Sequence, residues 1–183
     1  MIYLIGGAPR VGKTTLSQQF AGQLRVGWIS TDVLHHVLRY KNDDGPKYEW
    51  NAAPEAITMT AEWFYPYLKR FVEGIGAFAE NYVIEGVNFL PAQVLQLSEE
   101  YQIRAVFLGC SHMTLEKFDR FPGHSRGYAG LPEEMRRQIV ADVPLWSEYI
   151  RQACEGSGYR YVDMADDFPG RLREAESVLT SGE

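Results

Sequence analysis

Short apolar runs recur along the chain, separated by longer stretches in which apolar residues return every three or four positions. The runs are Ile2–Ile5, Val26–Ile29, Tyr82–Ile84, Ile103–Leu108 and Tyr159–Val162. Continuous runs of this length, bounded by turn residues, predict strands buried on both faces. The stretches between them predict helices over 13–24, 32–40, 53–80, 91–100, 112–120, 132–154 and 169–179. Pro91 and Pro132 stand at first helical positions, and Gly156 and Gly158 mark a stop before the fifth strand. Pro66 and Pro144 fall inside helical stretches and are expected to kink or divide them. Alternation of strand and helix places the chain in the α/β class, with a parallel sheet covered by helices on both faces. Ligands then gather at the carboxyl ends of the strands. Two segments, 41–80 and 120–155, exceed what simple crossovers require and are expected to bind or cover a ligand.

Composition narrows this picture. With 183 residues, the whole span 1–183 is expected to form one domain around one core. Hydrophobic residues make up 45% and charged residues 23%, ordinary for a globular protein. A net charge of −6 leaves no basic field for a nucleic acid or an anionic membrane, so any anionic ligand must be gripped by local groups. The two cysteines, Cys110 and Cys154, lack metal-ligand spacing and read as small buried hydrophobes in a reducing, cytoplasmic setting. No apolar stretch is long enough to span a bilayer, and a strand starting at Ile2 leaves no room for a leader peptide. The expected partner is a small molecule, and the chain acts as a monomer or homodimer.

The sharpest signal follows the first apolar run. Gly7-Ala8-Pro9-Arg10-Val11-Gly12-Lys13-Thr14 fits G-x-x-x-x-G-K-[ST], the phosphate-binding loop, with Thr15 directly behind it. Glycines let the backbone curl so that several N–H groups face one anion. The following helix adds its positive end. Lys13 supplies a mobile cation for β- and γ-phosphates, and the Thr14 hydroxyl can ligate Mg²⁺.

On this motif and its strand–loop–helix context, the chain resembles the P-loop kinases of the nucleotide- and small-molecule-kinase group, the relatives of adenylate, shikimate and gluconate kinases. The resemblance implies a three-layer P-loop NTPase sandwich with a five-stranded parallel sheet in order 2-3-1-4-5. It also implies ATP with Mg²⁺, and a mobile lid. The stretch "IEGVNFLP" from Ile84 is similar to the corresponding segment of 2-phosphoglycerate kinases.

The acceptor side begins at "WISTDVLHHVLRY". Ser30 or Thr31 ends the second strand and Asp32 opens a helix on which Asp32, His35, His36 and Arg39 share one face. Val33, Leu34, Val37, Leu38 and Tyr40 occupy the other face. In similar kinases an aspartate at this strand end meets the acceptor hydroxyl and holds Mg²⁺, so the resemblance makes Asp32 the general base or hydroxyl-orienting group. Arg39 and His35 are candidates for gripping an acidic acceptor. Glu85 ends the third strand where a Walker B acid would sit, serving either metal or acceptor, and Gly86 lets a ligand approach the backbone. Tyr48, Trp50 and Asn51 lie in a polar stretch that is a candidate pocket lining.

Residues 120–132 combine glycines with Arg120 and Arg126, and Arg136 and Arg137 follow on a solvated helix face. Arginine forks neutralise charge spreading over a transferred phosphoryl group, and glycines permit closure. In similar kinases this region is the lid, which makes Arg120 and Arg126 the candidate catalytic arginines. Asp163, Asp166 and Asp167 read as surface charges or helix starts. The function expected is transfer of the γ-phosphoryl of Mg·ATP to an acceptor hydroxyl on a small acidic or sugar-like metabolite. The alternatives are a nucleotide-operated switch and a phosphotransferase for an antibiotic or nucleotide-sugar. A GTPase is disfavoured because the sequence contains no N-K-x-D.

Overall fold

The computed structural model describes residues 1–41, 46, 49–51, 53–78, 81–120 and 130–181. Five strands, β1 (Ile2–Gly7), β2 (Gly27–Ser30), β3 (Tyr82–Glu85), β4 (Ile103–Gly109) and β5 (Arg160–Asp163), form one sheet in the order β2-β3-β1-β4-β5. All four pairings are parallel. Between them run α1 (Lys13–Leu24), α2 (Thr31–Lys41), α3 (Ala56–Phe78), α4 (Pro91–Ser98), α5 (Leu115–Arg120), α6 (Glu133–Ser157) and α7 (Phe168–Ser181). The order expected from the sequence is the order observed.

Register decides where the chemistry falls. Ile5 pairs with Glu85, and Ser30 pairs with the same Glu85. The ends of β2 and β3 therefore lie level, while Gly6 and Gly7 carry β1 further and pair with Phe107 and Leu108 of β4. The order reverses around β1, so a crevice opens at that switch point beyond the strand ends.

The central strands are apolar because they are covered on both faces: Leu4, Ile5, Val83, Ile84, Val106, Phe107 and Leu108 are all fully buried. Helix α6 packs on β4 and contributes Ile139, Val143, Trp146 and Ile150 to the core. Burying such side chains contributes about 1.5–3 kcal/mol each.

Three local expectations are corrected. Burial on both faces fails at β2, an edge strand whose Gly27 and Trp28 are exposed. Its start shifts from Val26 to Gly27 because the Val26 amide closes the turn behind α1 by donating to the Ala21 carbonyl at 3.0 Å. Neither Pro66 nor Pro144 divides its helix: α3 and α6 run through them. Pro66 lies on the exposed face of α3, where water can satisfy the carbonyl that a proline leaves without a donor. Pro132 is the cap before α6 and not its first turn, since its ψ of 147° is extended. Gly158, at φ 76°, ends α6 in the left-handed conformation.

Candidate functional site

At the end of β1 the chain must turn sharply beside β4. Gly7 has φ 131°, and a Cβ there would stand 2.0 Å from the Leu108 carbonyl oxygen, so no other residue fits. The Ala8 amide donates to that carbonyl at 3.0 Å, which fastens the loop to the sheet. Pro9 has no amide hydrogen. Ala8 and Pro9 thus shape the loop, which runs on from Arg10 into the start of α1. Arg10 and Gly12 both take positive φ, 67° and 95°. Gly12 caps α1, whose first residue is Lys13. The Lys13 side chain is buried, and its Nζ donates to the Ala8 carbonyl at 2.6 Å, so its charge lies within the loop.

One acid, Glu85 at the end of β3, meets the loop directly, and a second, Asp32, opens α2 beside it. The Thr14 hydroxyl donates to Glu85 Oε1 at 3.1 Å, and Glu85 is only 2% exposed. A buried carboxylate is costly unless hydrogen-bonded or coordinated to a cation. Beyond Glu85, the Gly86 amide donates to the Ile5 carbonyl at 3.1 Å. A Cβ on Gly86 would meet the Thr31 hydroxyl at 1.6 Å, so the close approach of β3 to the start of α2 requires glycine here. Asn88 then joins the two sides. Its buried Nδ2 donates to the Thr31 hydroxyl at 3.1 Å and, less closely, to Asp32 Oδ1 at 3.4 Å. The Asp32 amide in turn donates to the Ser30 hydroxyl at 3.3 Å.

The polar face of α2 extends away from this network. Asp32, His35 and Arg39 are half-buried, and His36 is exposed. The His35 ring meets Trp63 of α3 edge-on at 5.2 Å and Phe64 at 6.3 Å. Burial pushes the His35 pKa down, Arg39 adds to this, and Asp32 opposes it, so the ring is held neutral. Nε2 of His35 and Nε of Arg39 are both shielded from solvent without a hydrogen-bond partner among the described residues. On the opposite side of α2, Val33 and Val37 stand out to solvent, 54% and 62% exposed, while Leu34 and Leu38 pack against the core.

The candidate pocket lining at 48–51 is corrected in part. Trp50 stacks on Trp146 of α6 at 5.1 Å, and the Asn51 amide donates to the buried Asp142 carboxylate at 2.7 Å. Both are spent on anchoring their segment to α6. Tyr48 lies outside the described residues. A concavity of about 570 Å³ lined by Met1, Ile2, Ile75 and Gln102 sits at the amino ends of β1 and β4, away from the loop.

On the far side of the loop, the Arg10 guanidinium stands 4.8 Å from the centre of the Phe118 ring on α5. Arg120, at the end of α5, is exposed, while Arg126 lies outside the described residues. Arg136 pairs with Asp119 and Arg137 with Glu133 on the surface. Asp163 is more than a surface charge: its Oδ1 accepts from the Ser111 and Ala165 amides, both at 3.0 Å, and ties the loops after β4 and β5 together. Burial pushes this carboxyl up, but those hydrogen bonds and Arg171 outweigh it and hold the pKa low. Both cysteines are buried, and burial pushes the Cys154 thiol up to about 12. They are packing residues, as expected.

No protein-family model matches the chain, and no curated protein is similar to it in sequence. Solved structures are similar in fold. A gluconokinase from Sinorhizobium meliloti 1021 aligns with a TM-score of 0.56 at 16% identity, covering 97% of this chain and 90% of that one. A shikimate kinase from Bacteroides thetaiotaomicron aligns with a TM-score of 0.53 at 15% identity, covering 97% and 94%. The chain has the P-loop kinase fold. At such identities the likeness speaks for architecture alone, and activity has to be argued from the site.

Within this P-loop kinase fold the donor set suits Mg²⁺. Thr14 and Glu85 present hard oxygens 3.1 Å apart, and Asn88 links Asp32 to the same corner. No cluster of three His, Cys, Asp or Glu occurs among the described residues. Mg²⁺ suits such a site because it takes few protein ligands and completes its shell with phosphate and water. No described helix is long and apolar enough to cross a membrane. Three contributors escape a reading by motif: Asn88, Asp163 and Phe118. Only Asn88 left a trace, as a lone polar residue in "VNFLP" just before a proline that opens α4.

Proposed function

We propose that the protein is an ATP-dependent small-molecule kinase that transfers the γ-phosphoryl of Mg·ATP to a hydroxyl of a small anionic acceptor. The observation that carries this reading is the contact between the Thr14 hydroxyl and the buried Glu85 carboxylate, with Asn88 bringing Asp32 to the same corner. A phosphate loop, two acids and the start of α2 thus converge where three strands end.

In this reading the amides from Arg10 to Thr14 cradle the β- and γ-phosphates, and Lys13 leaves the Ala8 carbonyl to meet the γ-phosphate. Thr14 and Glu85, with Asp32, would hold Mg²⁺, which supplies neutralisation of charge on the phosphate oxygens. Asp32 accepts a hydrogen bond from the acceptor hydroxyl and takes its proton as oxygen attacks phosphorus in line. The bond from phosphorus to the β,γ-bridging oxygen breaks, and ADP leaves. Thr31, and not a ligand as the sequence suggests, fills the space beside Gly86 and holds the start of α2 against the end of β3. His35 Nε2 and Arg39 Nε have no hydrogen-bond partner among the described residues, which supports an acceptor carrying a carboxylate or phosphate. Arg120 and Arg126 are the proposed lid arginines.

The test is ADP release against a panel of sugar acids, phosphorylated hydroxy acids, nucleosides and aminoglycosides. One acidic acceptor should accelerate turnover well above basal hydrolysis. Asp32→Asn should keep Mg·ATP binding within a few-fold and lose about a hundredfold or more in turnover. Slow hydrolysis that no acceptor stimulates, or full single-turnover chemistry in Asp32→Asn, would remove the reading.

A further inference from the structure

One face of α6 holds the chain that joins α2 to α3. Asp142, Trp146 and Tyr149 stand at i, i+4 and i+7 on that helix, so they line a single stripe. The Asn51 amide donates to Asp142 Oδ2 at 2.7 Å, and the Trp50 ring stacks on Trp146 at 5.1 Å. The hydroxyls of Thr58 and Tyr149 share a hydrogen bond of 2.6 Å. Gln138, one turn earlier, donates to Asp142 Oδ1 at 2.8 Å and, more weakly, to Asn51 Oδ1 at 3.4 Å.

Two features of this anchor go beyond packing. Asp142 is only 3% exposed, and a buried carboxylate costs more free energy than an apolar anchor, which Trp146 already supplies. What the carboxylate adds is direction, because it accepts from one amide in one register. Asn51 takes φ 68°, a left-handed conformation that asparagine tolerates better than most residues, and the contact with Asp142 fixes its amide there. The second feature is the level of the anchor. Ser147 Oγ accepts from the Cys110 amide at 2.8 Å, and Cys110 directly follows β4, so this turn of α6 is level with the carboxyl ends of the strands. From there α6 leads back to the start of β5. Asp142 precedes Ser147 on the helix and therefore stands up to about 7.5 Å beyond the strand ends, on the side where ligands gather.

We infer that Asp142 is a positioning residue for the acceptor: through Asn51 it fixes the chain between α2 and α3 in one register beyond the strand ends, and so sets how tightly the acceptor binds without touching it. The inference rests on the kinase reading for the existence of an acceptor. Asp32, His35 and Arg39 belong to α2, and Trp63, against which His35 packs, belongs to α3. The two helices must keep one spacing for these groups to meet one molecule. Thr31 and Asn88 fix the start of α2, and the stripe on α6 fixes the chain that enters α3. The anchor is made from α6, α3 and the chain before α3, so loosening it disturbs the acceptor groups and leaves the phosphate loop alone.

Asp142→Asn tests this with little change of shape. Whichever way the new amide faces, its NH2 opposes a donor, either Gln138 or the Asn51 amide. With the acceptor found by the panel above, KM should rise about tenfold, kcat should stay within about threefold, and calorimetry should give an affinity for Mg·ADP within about twofold of the parent. Combining Asp142→Asn with Gln138→Glu restores a donor–acceptor pair and should return KM to within about twofold of the parent. If Asp142→Asn does not fold, Tyr149→Phe removes one hydroxyl from the same stripe and should raise KM about two- to fourfold with kcat unchanged. An unchanged acceptor KM in the folded single variant, or a double variant that recovers its melting temperature and not its KM, would show a merely structural anchor and overturn the inference while the kinase reading stands. Equal losses in acceptor KM and in Mg·ADP affinity would overturn it too. A parent chain that turns over no acceptor in the panel would remove the kinase reading, and this inference with it.

Discussion

The phosphate end and the acceptor end of the proposed site are built differently. The phosphate end is made from one stretch of chain: Gly7 to Thr14 supplies the turn, the amides, Lys13 and the Thr14 hydroxyl, and its cation is buried beside the backbone. The acceptor end is assembled from three places. Asp32, His35 and Arg39 come from α2, Trp63 from α3, and Asn88 from the loop before α4. The first end is fastened by a hydrogen bond to the sheet; the second is half-buried and keeps two nitrogens without a hydrogen-bond partner among the described residues. A loop that reads a phosphate need not change when the acceptor changes. Specificity is therefore left to the helices, where side chains can vary without breaking the turn.

The largest effect that would separate the two ends lies at Lys13. In the proposed reaction its charge meets the transferred group in the transition state, so Lys13→Ala should reduce ADP release with any acceptor by about a thousandfold or more. Folding should survive, since alanine begins a helix well. A variant that turns over at the parent rate would detach the loop from the chemistry altogether. If instead only one acceptor in the panel were affected, the division between a generic phosphate end and a specific acceptor end would be wrong.

The seam between the ends is Gly86. The hydroxyl of Thr31 lies 1.6 Å from where its Cβ would stand, and Thr31 is fully buried. Gly86→Ala should cost about 1–3 kcal/mol in urea unfolding through overpacking. Thr31→Ala alone should cost about 1 kcal/mol, since it removes the acceptor of the Asn88 hydrogen bond. The double variant should be less destabilised than the sum by about 1 kcal/mol, because the added methyl then has space. Strict additivity would mean that β3 and α2 give way independently and that the seam is loose.

The unequal construction also explains what a reader of the sequence can recover. Strand order, helix order and the loop are legible because each rests on local pattern: apolar runs, helical periodicity, and a glycine-rich turn between strand and helix. Asp32 and Glu85 are legible as strand-end acids. Their alignment in the sheet is a matter of register, which places Ser30 opposite Glu85. Asn88 and Asp163 are not legible, because a buried amide and a carboxylate that fastens two loops are defined by partners 57 and 52 residues away. Trp50 and Asn51 mislead for the same reason. Polar sequence around them looks like a pocket rim, yet Trp146 and Asp142 of α6 claim both. The candidate lid arginine Arg126 lies outside the described residues, so its part in the site stays with the sequence.

The smallest expected effect probes the acceptor end alone. His35 has its pKa lowered by burial against Trp63 and Phe64 and by the Arg39 charge, with His36 adding slightly and Asp32 opposing. The unfolded chain then binds a proton at higher pH than the folded one does, so stability rises with pH through this window and falls as pH drops below about 6.5. The ring is half-buried, and solvent screening limits the contribution to a small margin. Comparing urea midpoints at pH 7.5 and 5.5, the parent should lose more stability than His35→Gln by that margin. Adding an anion that seats on Arg39 and His35 should reverse the sign locally, because a bound carboxylate or phosphate favours the protonated ring and masks the guanidinium that opposes it. Acid loss that is identical in parent and variant would show that His35 titrates alike in the folded and unfolded chains. The half-buried face of α2 would then be as solvated as an ordinary helix surface, and the contrast between a fixed phosphate end and a ligand-completed acceptor end would lose its support.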